Sequence, residues 1–451
     1  MNLADSTRML LDRLSAGYFD ALTGDEALSL NVSGEDQLYL RLNQTRVRQT
    51  TRVLQRRLTL NFQSKGRRVV YSFDLSGDPE QDLATGLSLL ARARQEVTVL
   101  PEDPFVVPIV NHGTSSRAFS GSMPELGQLL DDLRAAAGDS DFTGLYAGGS
   151  QLRAIRNSAG LDHWFSTDSF FLDYSIFTVN AGGENKAVKG LYAGRDWRAD
   201  QLGRLLSGSL ERLTLLSRAS HSVEPGNYRV YFAPAAVDAM IKMFSWGAIS
   251  YGAWRKGDSA FQKLIEGETV LSPLFSLNEN FGLGLAPGFN SLGEIAPDCL
   301  PLIVGGQLKT LLTSARSARE YGVVANGAEP GGEGMRSPDM LTGTLAEADV
   351  LSALGTGLYV ENLHYLNWSD LQNARITGMT RYACFWVENS RIVAPIRDLR
   401  FDESLYRIFG SELEAVNSEA EIHINTDTYT QRSLGGGRVP GILLRDFRFT
   451  L

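Results

Sequence analysis

Cysteine is scarce in this chain: Cys299 and Cys384 are the only two in 451 residues. Two such distant thiols supply neither a disulfide framework nor a CxxC site. Their scarcity points to a reducing compartment, so the cytoplasm is the expected location. Each reads as a buried small hydrophobe. No apolar run approaches the length of about 18 residues that a membrane-spanning helix needs. The opening segment, Met1 to Ser15, has its apolar pattern broken by Asp5, Arg8, Asp12 and Arg13. It therefore reads as a first helix and not as a secretory signal.

Histidine is equally sparse. His112, His163, His221, His364 and His423 are all there are, and no two lie within five positions of each other. None belongs to HExxH, and no Cys/His spacing fits a structural zinc site, so each reads as structural and a metal is disfavoured. No GxxxxGK[ST] loop is present. The glycines between Gly331 and Gly334 come without the lysine that would hold a phosphate. GxSxG is missing too, which leaves a nucleophile-elbow hydrolase without support. Asp and Glu are plentiful, but no pair has a spacing that singles out acid–base work. Glu266 and Glu268 read as solvated turn residues.

Acidic residues are absent from Gln37 to Phe73, where Arg41, Arg46, Arg48, Arg52, Arg56, Arg57, Lys65, Arg67 and Arg68 occur. The functional reading is attraction of an anionic partner such as an acidic peptide or nucleic acid. The plainer reading is the solvated outer face of a sheet, with charge discouraging edge pairing, and it is the one favoured here. The whole chain carries a net charge of −9, which weighs against nucleic acid or an anionic membrane as its partner.

What is present is ordinary for a globular protein: 43% hydrophobic and 21% charged residues. The length implies two or three domains. After the first helix, residues 27–73 alternate. Leu38, Leu40 and Leu42 form one apolar face, Leu58, Leu60 and Phe62 another, Val69, Tyr71 and Phe73 a third. This predicts an antiparallel meander of about four strands with a hairpin turn at Lys65-Gly66. Gln81 to Val97 is expected as a helix with a buried stripe of Leu83, Leu87, Leu90 and Ala91. Pro101 to Pro108 reads as a connector. Helices are expected over 124–137 and 199–218, and a strand over 165–179. His221 to Asn227 marks a boundary, followed by a strand (228–232), a helix over 235–249, and a long glycine-rich, strand-rich remainder. Ala325 to Pro338 is expected as a flexible loop. The fold class is α+β: an N-terminal sheet-and-helix domain (1–100), a middle segment (101–223) and a β-rich C-terminal domain (224–451).

Gly355 to Ser404 reads GTGLYVENLHYLNWSDLQNARITGMTRYACFWVENSRIVAPIRDLRFDES, and Glu224 to Val237 reads EPGNYRVYFAPAAV. The elements GLYV, LHYLN, ITGMTR, FWVENSRIVAPI and LRFDES, in this order and spacing, resemble the C-terminal domain of the TldD/PmbA family. The N-terminal meander and its following helix are similar to that family's N-terminal domain. The family has two kinds of chain. TldD-type chains carry HExxxH on the helix after the PG-strand-P entry, and a later cysteine completes a zinc site. Here that helix reads AAVDAMIKMFSWGAISYGAWRKGDSAF, with no histidine or glutamate between Ala235 and Phe261. Lys242, Met243 and Gly247 fall where His, Glu and His would stand. Asp427 or Thr428 falls near the place of the cysteine. Zinc hydrolysis needs neutral imidazoles and a carboxylate base. The apolar Met240, Ile241, Met243, Phe244 and Trp246 make the segment a packing element instead.

The resemblance implies a TldE-type chain with no catalytic and no metal-binding residues of its own. It implies pairing with a TldD-type subunit that holds the zinc, and a substrate that is a peptide or unfolded protein. His364, Tyr365, Asn367 and Arg381, which lie in the family blocks, are the expected substrate-groove residues; packing and turn roles weigh equally for them. The rival reading is a homodimeric peptide-binding or scaffolding protein without peptidase activity. A further one is a hydrolase with an unrecognised site.

Overall fold

The computed structural model describes residues 2–450. Helix α1 (Leu3–Asp20) opens with Asn2 as its cap, the side-chain oxygen accepting from the Asp5 N–H at 2.8 Å. It buries Leu3, Leu10, Leu11, Leu14 and Tyr18. The meander that follows has three strands and not four: β1 (Ala27–Asn43), β2 (Arg46–Ser64) and β3 (Arg67–Asp74). The count is lower because β2 contains no turn residue and runs unbroken for 19 residues. Both hairpin turns, Gln44-Thr45 and Lys65-Gly66, take positive φ at each position, the geometry that matches the strand twist.

Helix α2 (Pro79–Glu96) is capped by Asp78. Its buried stripe is Asp82, Gly86, Leu90 and Ala93, rotated from the expected one: Ala91 is exposed and Leu83 and Leu87 are half-buried. Contact with α1 sets this rotation. Tyr18 fills the space at Gly86, and its hydroxyl donates to the Asp82 carbonyl at 2.6 Å. The segment 101–223 supplies β4 (Thr114–Phe119), α3 (Leu126–Ala137), β5 (Asp141–Asn157), β6 (Asp162–Val179), β7 (Asn185–Gly194) and α4 (Ala199–Leu216). Its strands join the meander in one seven-stranded sheet, with β5 paired to β1. Leu28, Leu30, Val32, Leu58, Leu60 and Phe62 pack under α1 and α2. On the same sheet, Leu40 and Leu42 pack with Leu129, Leu133, Leu202 and Leu206 of α3 and α4.

The second sheet begins at β8 (Gly226–Phe232), which leads into α5 (Pro234–Lys242). Its further strands are β9 (Leu277–Asn280), β10 (Cys299–Val304), β11 (Gln307–Leu308), β12 (Pro338–Met340), β13 (Gly357–Asp370), β14 (Arg375–Glu388), β15 (Arg391–Pro395), β16 (Arg400–Ser404), β17 (Leu413–Ile424) and β18 (Gly436–Phe449). Eleven strands share this sheet, with β8 between β13 and β18. Helix α5 lies on it, contributing Met240 and Ile241 to a core with Phe232, Phe244, Phe401 and Phe447.

Two expectations fail here for local reasons. The helix expected over 235–249 ends at Lys242, because a 3-10 turn at Met243–Ser245 and positive φ at Gly247 reverse the chain. Trp246 is thereby 57% exposed and is no packing residue. The segment 325–337 lacks regular structure but is not loose. The buried Glu333 carboxylate accepts from Ser250 Oγ (2.6 Å), Gly252 N (2.8 Å) and Ser314 N (2.7 Å). Those bonds hold its pKa low despite burial. Among the described residues, no helix is long and apolar enough to cross a membrane.

Candidate functional site

Because side chains alternate along strands, β1, β2, β5 and β6 turn a polar set away from the helices. In register across the sheet lie Gln55–Glu35–Gln151–Thr167, then Arg57–Ser33–Arg153–Phe165, then Thr59–Asn31–Ile155–His163. This face meets the C-terminal unit. The loop between β17 and β18 crosses it as a strap, and Arg432 is its anchor. Arg432 is 2% exposed. Its N–H donates to Glu35 Oε2 (2.8 Å), and its Nη1 to Gln37 Oε1 (3.1 Å) and the Ser169 carbonyl (2.6 Å). Gln151 Nε2 donates back to its carbonyl at 2.6 Å. Gly149 lies in register between Gln37 and Ser169 and has no side chain to obstruct this row. Burial pushes the Arg432 guanidinium down to about 10.

The strap divides two depressions, and Thr430 and Gln431 line both. On one side a cleft of about 610 Å³ lies between the sheet (Asn31, Ser33, Asn61, Arg68, Arg153) and the loops of the second unit (Phe289, Ser291, Glu329, Arg336). On the other, an open groove of about 1150 Å³ runs along the β1–β2 hairpin past Tyr39, Arg41, Arg48, Thr51 and Gln55. Among the described residues, three of the nine cations in the acid-free stretch are paired from outside it: Arg52 with Asp36, Arg57 with Asp74 and Arg67 with Glu102. Residues 46–52 are all exposed, as a solvated strand face would be.

Behind the cleft wall, Arg336 donates to the carbonyls of Phe289 (2.7 Å), Gly327 (3.1 Å) and Pro287 (3.3 Å). Glu279 Oε1 accepts from the backbone N–H groups of Arg336 (2.7 Å) and Ser337 (3.2 Å). Burial pushes the Glu279 carboxyl up to about 7, against the pull of those bonds and of Arg336.

The 3-10 turn that follows α5 abuts this wall, Ser245 Oγ accepting from the Met335 N–H at 3.0 Å. Lys242 Nζ sits 2.7 Å from Oδ2 of the buried Asp238, and Met240, Ile241 and Met243 are buried. Among the described residues, no three His, Cys, Asp or Glu side chains group closely enough to hold a metal. An ammonium on the helix, no imidazole and a single carboxylate already paired do not fit a zinc ion. Asp427 lines the cleft and Thr428 the groove; the Asp427 carboxylate accepts from the Tyr429 N–H at 3.0 Å.

His364, Tyr365, Asn367 and Arg381 all lie exposed on the β13–β14 ribbon. A bulge separates His364 from Asn367, Tyr365 adopts positive φ within it, and the rings of His364 and Tyr365 stand 4.4 Å apart. Arg381, opposite Asn362, pairs with Asp398 at 3.5 Å. None of the four lines the cleft or the groove. Sequence reasoning missed Arg153, Arg336, Glu279 and Arg432. No local periodicity marks these charged residues, and only strand register and the packing of one unit on the other decide what surrounds them.

No curated protein matches this chain. Three solved structures trace the same fold over 99% of it. TldE from Thermococcus kodakarensis is 13% identical, with a TM-score of 0.77 and all of that chain covered. Candidate DNA gyrase modulators from Bacteroides thetaiotaomicron (14%, TM-score 0.78, 99% of that chain) and Thermotoga maritima (16%, TM-score 0.75, all of that chain) are similar. Such identities show the fold alone. The sequence evidence is separate: residues 225–451 match the model of the PmbA/TldA metallopeptidase C-terminal domain. That stretch is half of the chain and contains β8, α5 and the strap. The chain belongs to the TldD/PmbA metallopeptidase family.

Proposed function

We propose that this chain is a non-catalytic, TldE-type subunit that pairs with a zinc-bearing TldD-type chain in a cytoplasmic peptidase acting on peptides or unfolded proteins. The observation that carries this reading is helix α5. It follows the family's entry strand and packs on β13 and β18 of the second sheet, yet it offers Lys242 bound to Asp238 where a hydrolase needs imidazoles and a free base. The metal and the water it activates would belong to the partner. This chain's part would be to shape the chamber wall with the strap, the cleft and the hairpin groove, whose polar rows suit an extended backbone better than one particular side chain.

The test mixes this chain with a TldD-type chain. Unfolded casein should be cleaved by the mixture, not by this chain alone, and cleavage should stop on chelation. Cleavage by this chain alone would sink the reading. A stable self-dimer that ignores the partner would instead establish a peptide-binding or scaffolding protein.

A further inference from the structure

Among the described residues, two of the cleft's three arginines have neither a counter-ion nor a long-range hydrogen bond. Among the described residues, neither Arg153 nor Arg68 has a carboxylate within ion-pairing distance. A guanidinium carries five N–H donors, and among the described residues the one side-chain hydrogen bond of Arg153 runs from Nη1 to the carbonyl of its own neighbour Leu152, at 2.8 Å. Arg68 makes no side-chain hydrogen bond among the described residues. The carboxylates nearby are already engaged. Glu35 accepts from the Arg432 N–H, Tyr39 and Gln55. Asp103 is bound to Arg316. Glu329 caps Ser291, and Asp427 caps Tyr429. The third arginine of the cleft, Arg336, is spent on carbonyls.

Desolvation pushes the Arg153 guanidinium down to about 10 and lowers Arg68 as well. A partly dehydrated cation with open donors gains most from a planar anion, which two parallel N–H bonds can hold. The volume, about 610 Å³, is that of a small-ligand site. Ser33 stands beside Arg153 in register, and Asn31 one pleat further along, so the surroundings accept and donate hydrogen bonds to a peptide unit.

We infer that the interdomain cleft is a subsite for a peptide carboxylate, gripped by Arg153 from the sheet with Arg68 at the rim. The carboxylate has two sources in a peptide, its C-terminus and an acidic side chain, and both present the same group. A C-terminal carboxylate would make the cleft a register stop for product or substrate ends; a side-chain carboxylate would make it a preference for acidic segments. The inference rests on reading the chain as a peptide-handling subunit, yet its test needs only this chain.

The chain alone is titrated with dansyl-Ala-Ala-Ala bearing a free carboxylate, with its C-terminal amide, and with dansyl-Ala-Glu-Ala amide, following dansyl fluorescence. At least one carboxylate peptide should bind about tenfold more tightly than the tri-alanine amide, and which one does so identifies the source. Arg153→Gln should lower that affinity about tenfold, Arg153→Lys less, and added salt should weaken it further. Equal affinity of both carboxylate peptides and the tri-alanine amide, no binding at all, or an Arg153→Gln chain that binds as the parent does would each overturn the inference. If Arg153→Gln fails to fold, Arg68→Gln and the acid–amide comparison decide. Retained carboxylate binding without partner-dependent proteolysis would sink the subunit reading alone; proteolysis without carboxylate selectivity would sink this one alone.

Discussion

The Arg432 guanidinium donates to Gln37 Oε1 at 3.1 Å, although 395 positions separate the two residues. That bond joins the strap of one unit to the polar face of the other. Arg432→Ala should therefore do two things. It removes a buried, hydrogen-bonded cation and leaves its acceptors unpaired, which costs about 2–4 kcal/mol. It should also free the strap, so that the Arg432-position amide, now protected by Glu35, exchanges with deuterium sooner than the strands around it. Denaturant melts and hydrogen exchange measure the two effects.

A second junction ties α4 to the C-terminal sheet. Arg212 Nη1 lies 2.7 Å from the buried Glu361, whose other carboxylate oxygen has no partner among the described residues. Arg212→Met should cost about 3–5 kcal/mol, because it leaves a buried carboxylate alone. The double substitution Arg212→Met, Glu361→Leu should recover most of that loss. Urea unfolding of the three proteins is the measurement, and a double variant no better than the single would refute the account.

Glu279 makes stability depend on pH. Its carboxyl holds a proton up to about 7 in the folded chain, while an unfolded glutamate releases it near 4.3. Between those values the folded state binds more protons, so stability falls as pH rises through this window and levels off above it. Glu279→Gln removes the titration. Its unfolding free energy should decline less than the parent's between about pH 4.5 and 7, as read from urea midpoints at a series of pH values.

Gly86 is a packing requirement. A Cβ there would overlap the ring and hydroxyl of Tyr18, and Tyr18 is fully buried and bonded to the Asp82 carbonyl. Gly86→Ala should destabilise by about 1–3 kcal/mol despite the better helix propensity of alanine. Adding Tyr18→Phe to it should not recover the loss, since the ring and not only the hydroxyl collides. Thermal melts would check both.

The sequence announced most elements where short-range physics governs them. The Lys65-Gly66 turn, the strand at 165–179 and the leucine-rich helix α4 all follow from periodicity or turn chemistry. It misplaced features that a distant partner decides. The buried stripe of α2 was turned by Tyr18, and α5 was cut short by a turn its apolar run does not advertise. The loop at 325–337 was held by Glu333, whose three donors come from Ser250, Gly252 and Ser314. Of the site, the missing imidazoles on α5 were legible residue by residue. The strap, the cleft and the two arginines that find no carboxylate among the described residues were not, since nothing in β5 distinguishes Arg153 from the ion-paired Arg156.

Residue identity by itself carried the resemblance to the family and showed that α5 has neither histidine nor glutamate, because ligands and bases are properties of single side chains. Which charged groups are buried, and which face each other across the two units, was decided by the tertiary structure. Burial and pairing arise from strand register and from a loop laid across a sheet, and neither is encoded in any local stretch of the chain.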